Sequence, residues 1–533
     1  MGLLPRGDGQ NLVRNILTDV VNYLYEKLSP HRSGLAGVEL FKRGYGLSYA
    51  DFTLLDTFYS HIPKSDISLK LDVGKGISLE TPLWLAPMDT TARTQSCIAI
   101  SLEGGIGCLH YNDKDAAGKP DVDAQINQLE LVKRWSNGFI ENPVVVSPEY
   151  TIAYVLEIAE KFKSGNLKID TFPVTVDGSP HGKLVGLLRK QDYSRAHHTH
   201  LKVKERMLPA EKLIVGDWPL TLDQANEILW DRHLLYLPIV DSQFNQKYLV
   251  TRSDIDKNEK YPLATKDEKG RLRVLFAVDT WMNTAEERLV RGFAAGADGV
   301  IVDTSQGFSK YEKDMLLFIS KNYGDKLIVG GNISTMEAAM FLYKLGVVDV
   351  YRDGQGAGSI CTTAGAIGIS RSGATGVYEC AKILRGKNNA PKTMADGGIK
   401  EVGDILKSWA IGANGGTMLG KLFAGTDEAP GEVMVDDTSG MLFKVYRGMG
   451  SKDANVWGIR GYGKLPQGVT GKVEYRGSMH QWVPLIRDGL LSALEVLNCS
   501  NIYELHDKLY SGELRFERRS PGAMQEAGAN IKQ

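Results

Sequence analysis

No run of about 18 consecutive apolar residues occurs in the 533-residue chain, so no membrane-spanning helix is expected. Neither sign of charge is in excess. Lys and Arg number 63 and Asp and Glu 64, a net charge of −1, which gives no reason to expect nucleic acid or an anionic membrane as partner. Cysteine is scarce and scattered. The five residues Cys97, Cys108, Cys361, Cys380 and Cys499 form no CxxC pair and no His/Cys cluster, which argues against zinc and for reduced thiols. The opening Met1-Gly-Leu-Leu-Pro-Arg6 has no signal-peptide architecture, and a cytoplasmic location is expected. No GxGxxG follows the first predicted strand, which counts against an open dinucleotide-binding sheet.

Glycine is plentiful, 58 residues, as alternating strands and helices with many tight turns require. Short apolar segments ending in polar, glycine-rich turns occur at 81–88, 105–110, 274–279, 299–305, 327–332, 347–352, 392–398 and 416–420. Amphipathic stretches such as 285–295 and 335–345 separate most of them. Eight such units predict an α/β fold of the (β/α)8 TIM-barrel type, with the polar strand ends gathered at one mouth. The expected organisation is an N-terminal helical extension over 1–45 (a helix from Asn11 to Lys27), barrel over 46–117, an insertion over 118–262, and barrel again over 263–533.

The insertion repeats itself. Phe172-Pro-Val-Thr-Val-Asp-Gly178 and Leu184-Val-Gly-Leu-Leu-Arg-Lys-Gln-Asp192 have counterparts in Leu237-Pro-Ile-Val-Asp-Ser242 and Tyr248-Leu-Val-Thr-Arg-Ser-Asp254. This pattern resembles a tandem CBS (Bateman) pair. The resemblance implies an adenine or guanine nucleotide ligand, with Asp192 and Asp254 meeting a ribose. Plain helix capping explains the same two residues. Arg189 and Tyr248 depart from the usual Thr or Ser and Gly.

Cys361 ends the glycine-rich turn Gly354-Gln-Gly-Ala-Gly-Ser-Ile-Cys361, a poor place for a core residue and a good one for a nucleophile. Gly356 and Gly358 let backbone groups converge on an ion or ligand. The predicted mouth also collects Asp303, Thr304, Ser305, Asn332, Arg352, Thr363, Asp396, Gly397, Gly398, Gly420, Lys421, Tyr446, Gly448, Met449 and Gly450. Glycines beside hydroxyl and basic groups late in the barrel suit a phosphate. Arg352 is a candidate for the positive charge that a thiolate needs. Each has a plainer reading: Asp303 as a helix cap, Asn332 and Asp396 as turn residues.

Together these segments resemble the IMP dehydrogenase/GMP reductase family over nearly all the chain beyond residue 45. The similarity is carried by Pro87-Met-Asp-Thr90, Asp303-Thr-Ser-Gln-Gly307, Gly358-Ser-Ile-Cys-Thr-Thr363, Ala395-Asp-Gly-Gly-Ile399, Glu428-Ala-Pro-Gly-Glu432 and Tyr446-Arg-Gly-Met-Gly-Ser451. The resemblance implies that Cys361 attacks C2 of IMP, that hydride passes to NAD, and that water releases XMP from a thioimidate. It places Asp396 on the ribose, and Ser359, Gly398, Gly420 and Tyr446 on the phosphate. Met449, Gly450 and Gln467 would contact the base, and Asp303 and Ser305 the nicotinamide nucleoside. It implies a potassium ion on the carbonyls of Gly356, Gly358 and Cys361, completed by Glu526 of a neighbouring subunit, hence a homotetramer.

The pattern departs from the family at Ala86 (usually Ser), Lys421 (usually Ser), Asp353 and Gln355 (usually apolar), and Ser372-Gly373 (usually Pro-Gln). Ala86, Asp353 and Gln355 are expected near the purine. An ammonium at Lys421 can still bind a phosphate. The Arg-Tyr pair that assists hydrolysis has its nearest equivalent in Arg460 and Tyr462, with Gly461 between them. Tyr446 and Gln467 lie only 21 positions apart, a short flap that looks more like GMP reductase. GMP reductases use a Thr–Glu pair, and here Thr363 is joined by Gln467. An NADPH-dependent reductase and a nucleotide-sensing protein with a weakly active barrel are the alternatives to IMP dehydrogenase.

Overall fold

The architecture was read from a computed structural model that describes residues 33–42, 44–135, 139–140, 143–161, 169–252, 260–454 and 465–526. Eight parallel strands form the central sheet: β1 (Leu83–Leu85), β2 (Gly107–Leu109), β3 (Val274–Val278), β4 (Gly299–Val302), β5 (Leu327–Ile333), β6 (Val350–Asp353), β7 (Lys392–Asp396) and β8 (Thr417–Leu419). Each pairs with its neighbours in sequence, and β8 returns to β1 with Met418 opposite Trp84. A bridge between Trp84 and Ile106, with Leu85 donating to Ile106 and Ile106 to Leu83, joins β1 to the entry of β2 and closes the barrel.

Strands β1, β3 and β4 read as unbroken apolar runs because both faces are covered. In β3, Leu275 and Ala277 point inward with Trp84, Ile301, Val329, Val350 and Met394. The alternating Val274, Phe276 and Val278 point outward into the layer under the helices. That outer layer comprises α1 (Thr94–Leu102), α2 (Val122–Lys133), α3 (Met282–Ala294), α4 (Lys310–Tyr323), α5 (Met336–Leu345), α6 (Gly373–Leu384), α7 (Val402–Ala410), α8 (Met479–Val496) and α9 (Ile502–Ser511). Ser309 and Thr335 start α4 and α5 by accepting from the N–H groups of Glu312 and Ala338. Glu428 caps α8 in a similar way, its carboxylate accepting from the Ser478 hydroxyl and the Met479 N–H. That explains part of the Glu428–Glu432 motif structurally. No helix among the described residues is long and apolar enough to cross a membrane.

The insertion begins later than expected. Helix α2 lies inside the stretch assigned to it, yet packs on α1, α3 and β3. Its Leu129 and Val132 belong to the barrel's outer core. Lys133 is buried and bonds Asp267 and Asp298, and Leu272 donates to Trp135. The chain therefore leaves the barrel after Trp135. It is back on it by Tyr261, whose ring packs against the same core. The expected boundary at 118 is displaced because α2 carries the outward helix of the second β/α unit.

Within the insertion, helix 152–161 and strands 172–175, 184–188 and 208–209 build one unit with its own core. Helix 222–231 and strands 216–217, 236–240 and 246–251 build a second. Asp192 is engaged locally, accepting from the Arg189 backbone N–H and from its guanidinium. Asp254 and the expected helix from Asn11 to Lys27 lie outside the described residues.

Candidate active site

The mouth at the carboxyl ends of the strands is a cleft lined by residues from most of the barrel. It brings together Asp303, Thr304, Ser305, Asn332, Arg352, Gly356, Gly358, Ser359, Cys361, Thr363, Asp396, Gly397, Gly398, Gly420, Lys421, Tyr446, Gly448, Met449, Gly450 and Gln467. Ala86, Met88, Gln355 and Ile360 line it too. Arg460 and Tyr462 lie outside the described residues. Glu526 ends an exposed helix, 521–526, and is not among the cleft's residues.

The loop after β6 holds the cysteine. A methyl on Gly354 would overlap the Asp396 carbonyl oxygen, so the chain leaves β6 there only as glycine. Cys361 N–H donates to the Gly358 carbonyl at 3.0 Å, tightening the turn. A second segment clamps it from above: Thr362 donates to Gln467 and Val469 to Ile360, each at 3.0 Å. Gln467 in turn donates to Gly450 at 3.0 Å, which ties the glycines after Tyr446 into the same layer. The Cys361 Sγ lies 3.0 Å from Thr363 Oγ1, and Thr363 donates to Gln467 Oε1 at 3.3 Å. The hydroxyl thus accepts from the thiol, and rotates to donate once sulfur is a thiolate.

The other four thiols are buried, and burial pushes all of them upward, Cys499 to about 11. Only Cys361 is partly exposed.

Arg352 does not serve the thiol. Its Nη1 donates to Asp303 at 2.8 Å, while Nε and Nη2 donate to Asp396 Oδ2 at 3.1 and 2.9 Å. Burial opposes its charge, yet the two carboxylates outweigh that and hold it firmly protonated. Asn332 Nδ2 adds a fourth bond to this cluster, to the same Asp396 Oδ2 at 2.7 Å. These bonds all fall on Oδ2, so Oδ1 is the oxygen of Asp396 that they leave to a ligand.

Tyr446 is buried and its hydroxyl donates to Met88 Sδ at 3.6 Å. Any side chain at Gly420 would collide with that hydroxyl. Arg447 grips Asp89 through Nε and Nη2, linking this segment to the one after β1. Burial works against the Asp89 charge, but Arg447 and Asn112 hold its carboxyl below the ordinary range.

Of the residues expected beside a base, Gln355 lines the cleft and Asp353 does not. Gln355 donates to the Ser305 carbonyl and accepts from Ser334, both at 3.2 Å, bracing the cysteine loop against the end of β4. Asp353 faces backwards into α6, where a methyl on Gly376 would meet its Oδ1 at 2.5 Å. Neither Asp353 oxygen has a hydrogen-bond partner among the described residues, and the Cys380 thiol faces it without reaching bonding geometry. Burial raises its pKa to about 7, the Cys380 thiol and Arg371 pulling weakly the other way. The folded protein thus binds this proton more tightly than the unfolded chain, whose aspartates titrate near 3.9. Stability should fall as pH rises from about 4 to about 7 and stay flat above. Asp353→Asn should match the wild type near pH 4 and exceed it above pH 7 by about 1–3 kcal/mol. Urea unfolding at pH 5 and pH 8 checks this; an unchanged pH slope in the variant contradicts it.

Comparison with known proteins places this geometry. Residues 46–530 match the family model described as IMP dehydrogenase / GMP reductase domain. The chain is 34% identical to inosine-5′-monophosphate dehydrogenase of Schizosaccharomyces pombe, over 94% of each chain. It is 32% identical to the enzyme of that name from Toxoplasma gondii, over 90% of this chain and 95% of the relative. A Streptococcus pyogenes protein of the same name is 33% identical over 88% and 92%. Among solved structures, a cysteine-to-alanine variant of GMP reductase from Trypanosoma brucei, in complex with guanosine 5′-monophosphate, superposes with a TM-score of 0.81 at 28% identity. It covers 93% of this chain and 100% of its own.

Proposed function

The chain belongs to the IMP dehydrogenase/GMP reductase family, and from that premise we propose that its barrel oxidises IMP to XMP with NAD. It is an oxidoreductase, and IMP dehydrogenase is the name that the three relatives above share. The observation that carries the direction is the Cys361–Thr363–Gln467 chain, which ends in a neutral amide where a reductase of this family has a Glu. A Gln cannot deliver a proton to a departing amino group, but it can hold a purine edge without changing charge.

Cys361 supplies the nucleophile. The thiol proton passes to solvent, and the thiolate, with the Thr363 hydroxyl donating to it, adds to C2 of the purine. Asp303, Thr304, Ser305 and Asn332 would hold NAD, which would supply the acceptor for a hydride leaving C2. Water then adds to C2 of the resulting thioimidate, the C–S bond breaks, and XMP leaves with Cys361 restored. Asp396 Oδ1 binds the ribose hydroxyls, its other oxygen being fixed by Arg352 and Asn332. Ser359, Gly397, Gly398, Gly420, Lys421, Tyr446 and Gly448 surround the phosphate, with the Lys421 ammonium replacing a hydroxyl. Met449, Gly450 and Gln467 contact the base. Arg460 or Tyr462 assists the water.

Three further assignments belong to this reading. The carbonyls of Gly356, Gly358 and Cys361 suit potassium, an oxygen-seeking cation, and the Gly358 oxygen keeps a lone pair beyond its bond to Cys361. Glu526 of an adjacent subunit completes the site in a homotetramer. The paired units of the insertion bind an adenine or guanine nucleotide as a CBS pair. Free thiols fit a cytoplasmic protein.

The reductase reading draws on two observations, the full-length likeness to GMP reductase and the short span from Tyr446 to Gln467. The test is spectrophotometric. IMP with NAD and potassium should raise nicotinamide absorbance, and GMP with NADPH should leave it unchanged. A fall with GMP and NADPH, and no rise with IMP, overturns the assignment.

A further inference from the structure

The ladder of β5 with β4 ends at Val329 opposite Ile301, before Gly331, and on the β6 side the register slips between Gly331 and Ile333. Where a regular strand would meet its neighbour, the Gly331 N–H instead meets a side chain from the outer layer. Glu312, in the first turn of α4 and completely buried, accepts it on Oε1 at 2.9 Å. The peptide it holds leads directly into Asn332, which is fixed at every polar atom of its backbone. Asn332 N–H donates to Thr304 at 2.8 Å, and its carbonyl accepts from Gly307 at 2.7 Å. Its side chain then reaches across to Asp396.

We propose that Glu312 is a positioning residue, which through the Gly331 N–H sets the Asn332 amide that braces the ribose-binding carboxylate Asp396. The inference deepens the reading above and rests on Asp396 serving a nucleotide. A buried carboxyl is an expensive way to fill space, since leucine or methionine fills it without desolvating a polar group. What Glu312 adds is the acceptor, without which the Gly331 N–H would be a buried donor with no strand partner. Asn332 and Arg352 both converge on Asp396 Oδ2, so a shift of Asn332 unbalances the clamp and turns Oδ1 away from its ligand.

The acceptor is needed and the charge is not. Burial pushes the Glu312 carboxyl well above the ordinary range; the Gly331 N–H and Arg352 oppose this more weakly, and Asp303 reinforces it. Burial therefore disfavours the charged form of Glu312. An amide of the same shape should therefore serve equally.

The test compares Glu312→Gln with Glu312→Met in the full-length protein. IMP affinity is read by titration without cofactor, so the outcome does not depend on which reaction the barrel performs. Whether the wild type reduces NAD with IMP is a separate control on that reading. Glu312→Gln should bind IMP within about twofold of wild type and keep its pH profile. Glu312→Met should bind about tenfold more weakly, with a similar thermal midpoint. Combining Glu312→Met with Asn332→Ala should weaken binding no further than Asn332→Ala alone, because the two act through one contact. Wild-type affinity in the Met variant overturns the proposal, as does a Gln variant as impaired as Met, or additive losses in the double variant. Should Glu312→Met not fold, the Gln variant still decides, because loss of affinity with retained stability there contradicts an acceptor-only role.

Discussion

Replacing Cys361 by alanine should lower kcat by about 10⁴-fold or more and leave IMP affinity within about threefold. The binding groups do not depend on sulfur. Asp396 is held by Arg352 and Asn332, and the loop's backbone bonds to Gly358, Gln467 and Val469 survive the change. No other thiol can substitute, because Cys97, Cys108, Cys380 and Cys499 are all buried. Burial also raises each of them away from the thiolate form. Single-turnover absorbance and IMP titration separate the two effects. Retention of more than about 1% of kcat in the alanine variant removes Cys361 from the chemistry.

The second large effect is expected at Arg352. Arg352→Met should destabilise the fold by about 3–5 kcal/mol, because it strands Asp303 and Asp396 as buried neighbours of like charge. The side chains of the three residues are 8%, 11% and 14% exposed, so water cannot stand in for the guanidinium. Nucleotide affinity should fall with stability, since Asp396 loses two of the bonds that orient it. The sign with pH is fixed. Stranded carboxyls hold protons more tightly in the folded state than in the unfolded one. The deficit is therefore full above pH 7 and shrinks as pH falls toward about 4. Urea unfolding of the variant across that range measures it. A deficit that stays below about 1 kcal/mol, or grows on acidification, means that the cluster is not the buried ionic bridge described here.

Much of this was legible from residue order. Short, largely apolar segments ending in polar, glycine-rich turns recur along the chain, so all eight strands were recognisable from β1 to β8. Cys361 stood out because a thiol among glycines has no packing role. Partnerships across the barrel were harder to read. Arg352 looked like a counter-ion for the nearest nucleophile in sequence, but alternation along β6 turns it into the mouth toward β4 and β7. The same alternation sends Asp353 the other way, into α6, although it adjoins the cysteine loop. Glu312 carried no signal, because a Glu in the first turn of a helix is ordinary dipole chemistry until its burial is seen. The limit of the insertion was misplaced because α2 follows β2 through an irregular stretch that reads as part of the insertion.

The proposed oxidation rests on covalent attachment of the Cys361 sulfur to the purine during turnover. It is tested most directly by acid-quenching the enzyme while it consumes IMP and NAD, digesting it, and weighing the peptide that contains Cys361. The expected result is a purine-nucleotide adduct on Cys361 alone, absent when NAD is omitted and absent in the Cys361→Ala variant. Steady NADH formation with an unmodified Cys361 peptide, or an adduct on any other residue, would contradict it.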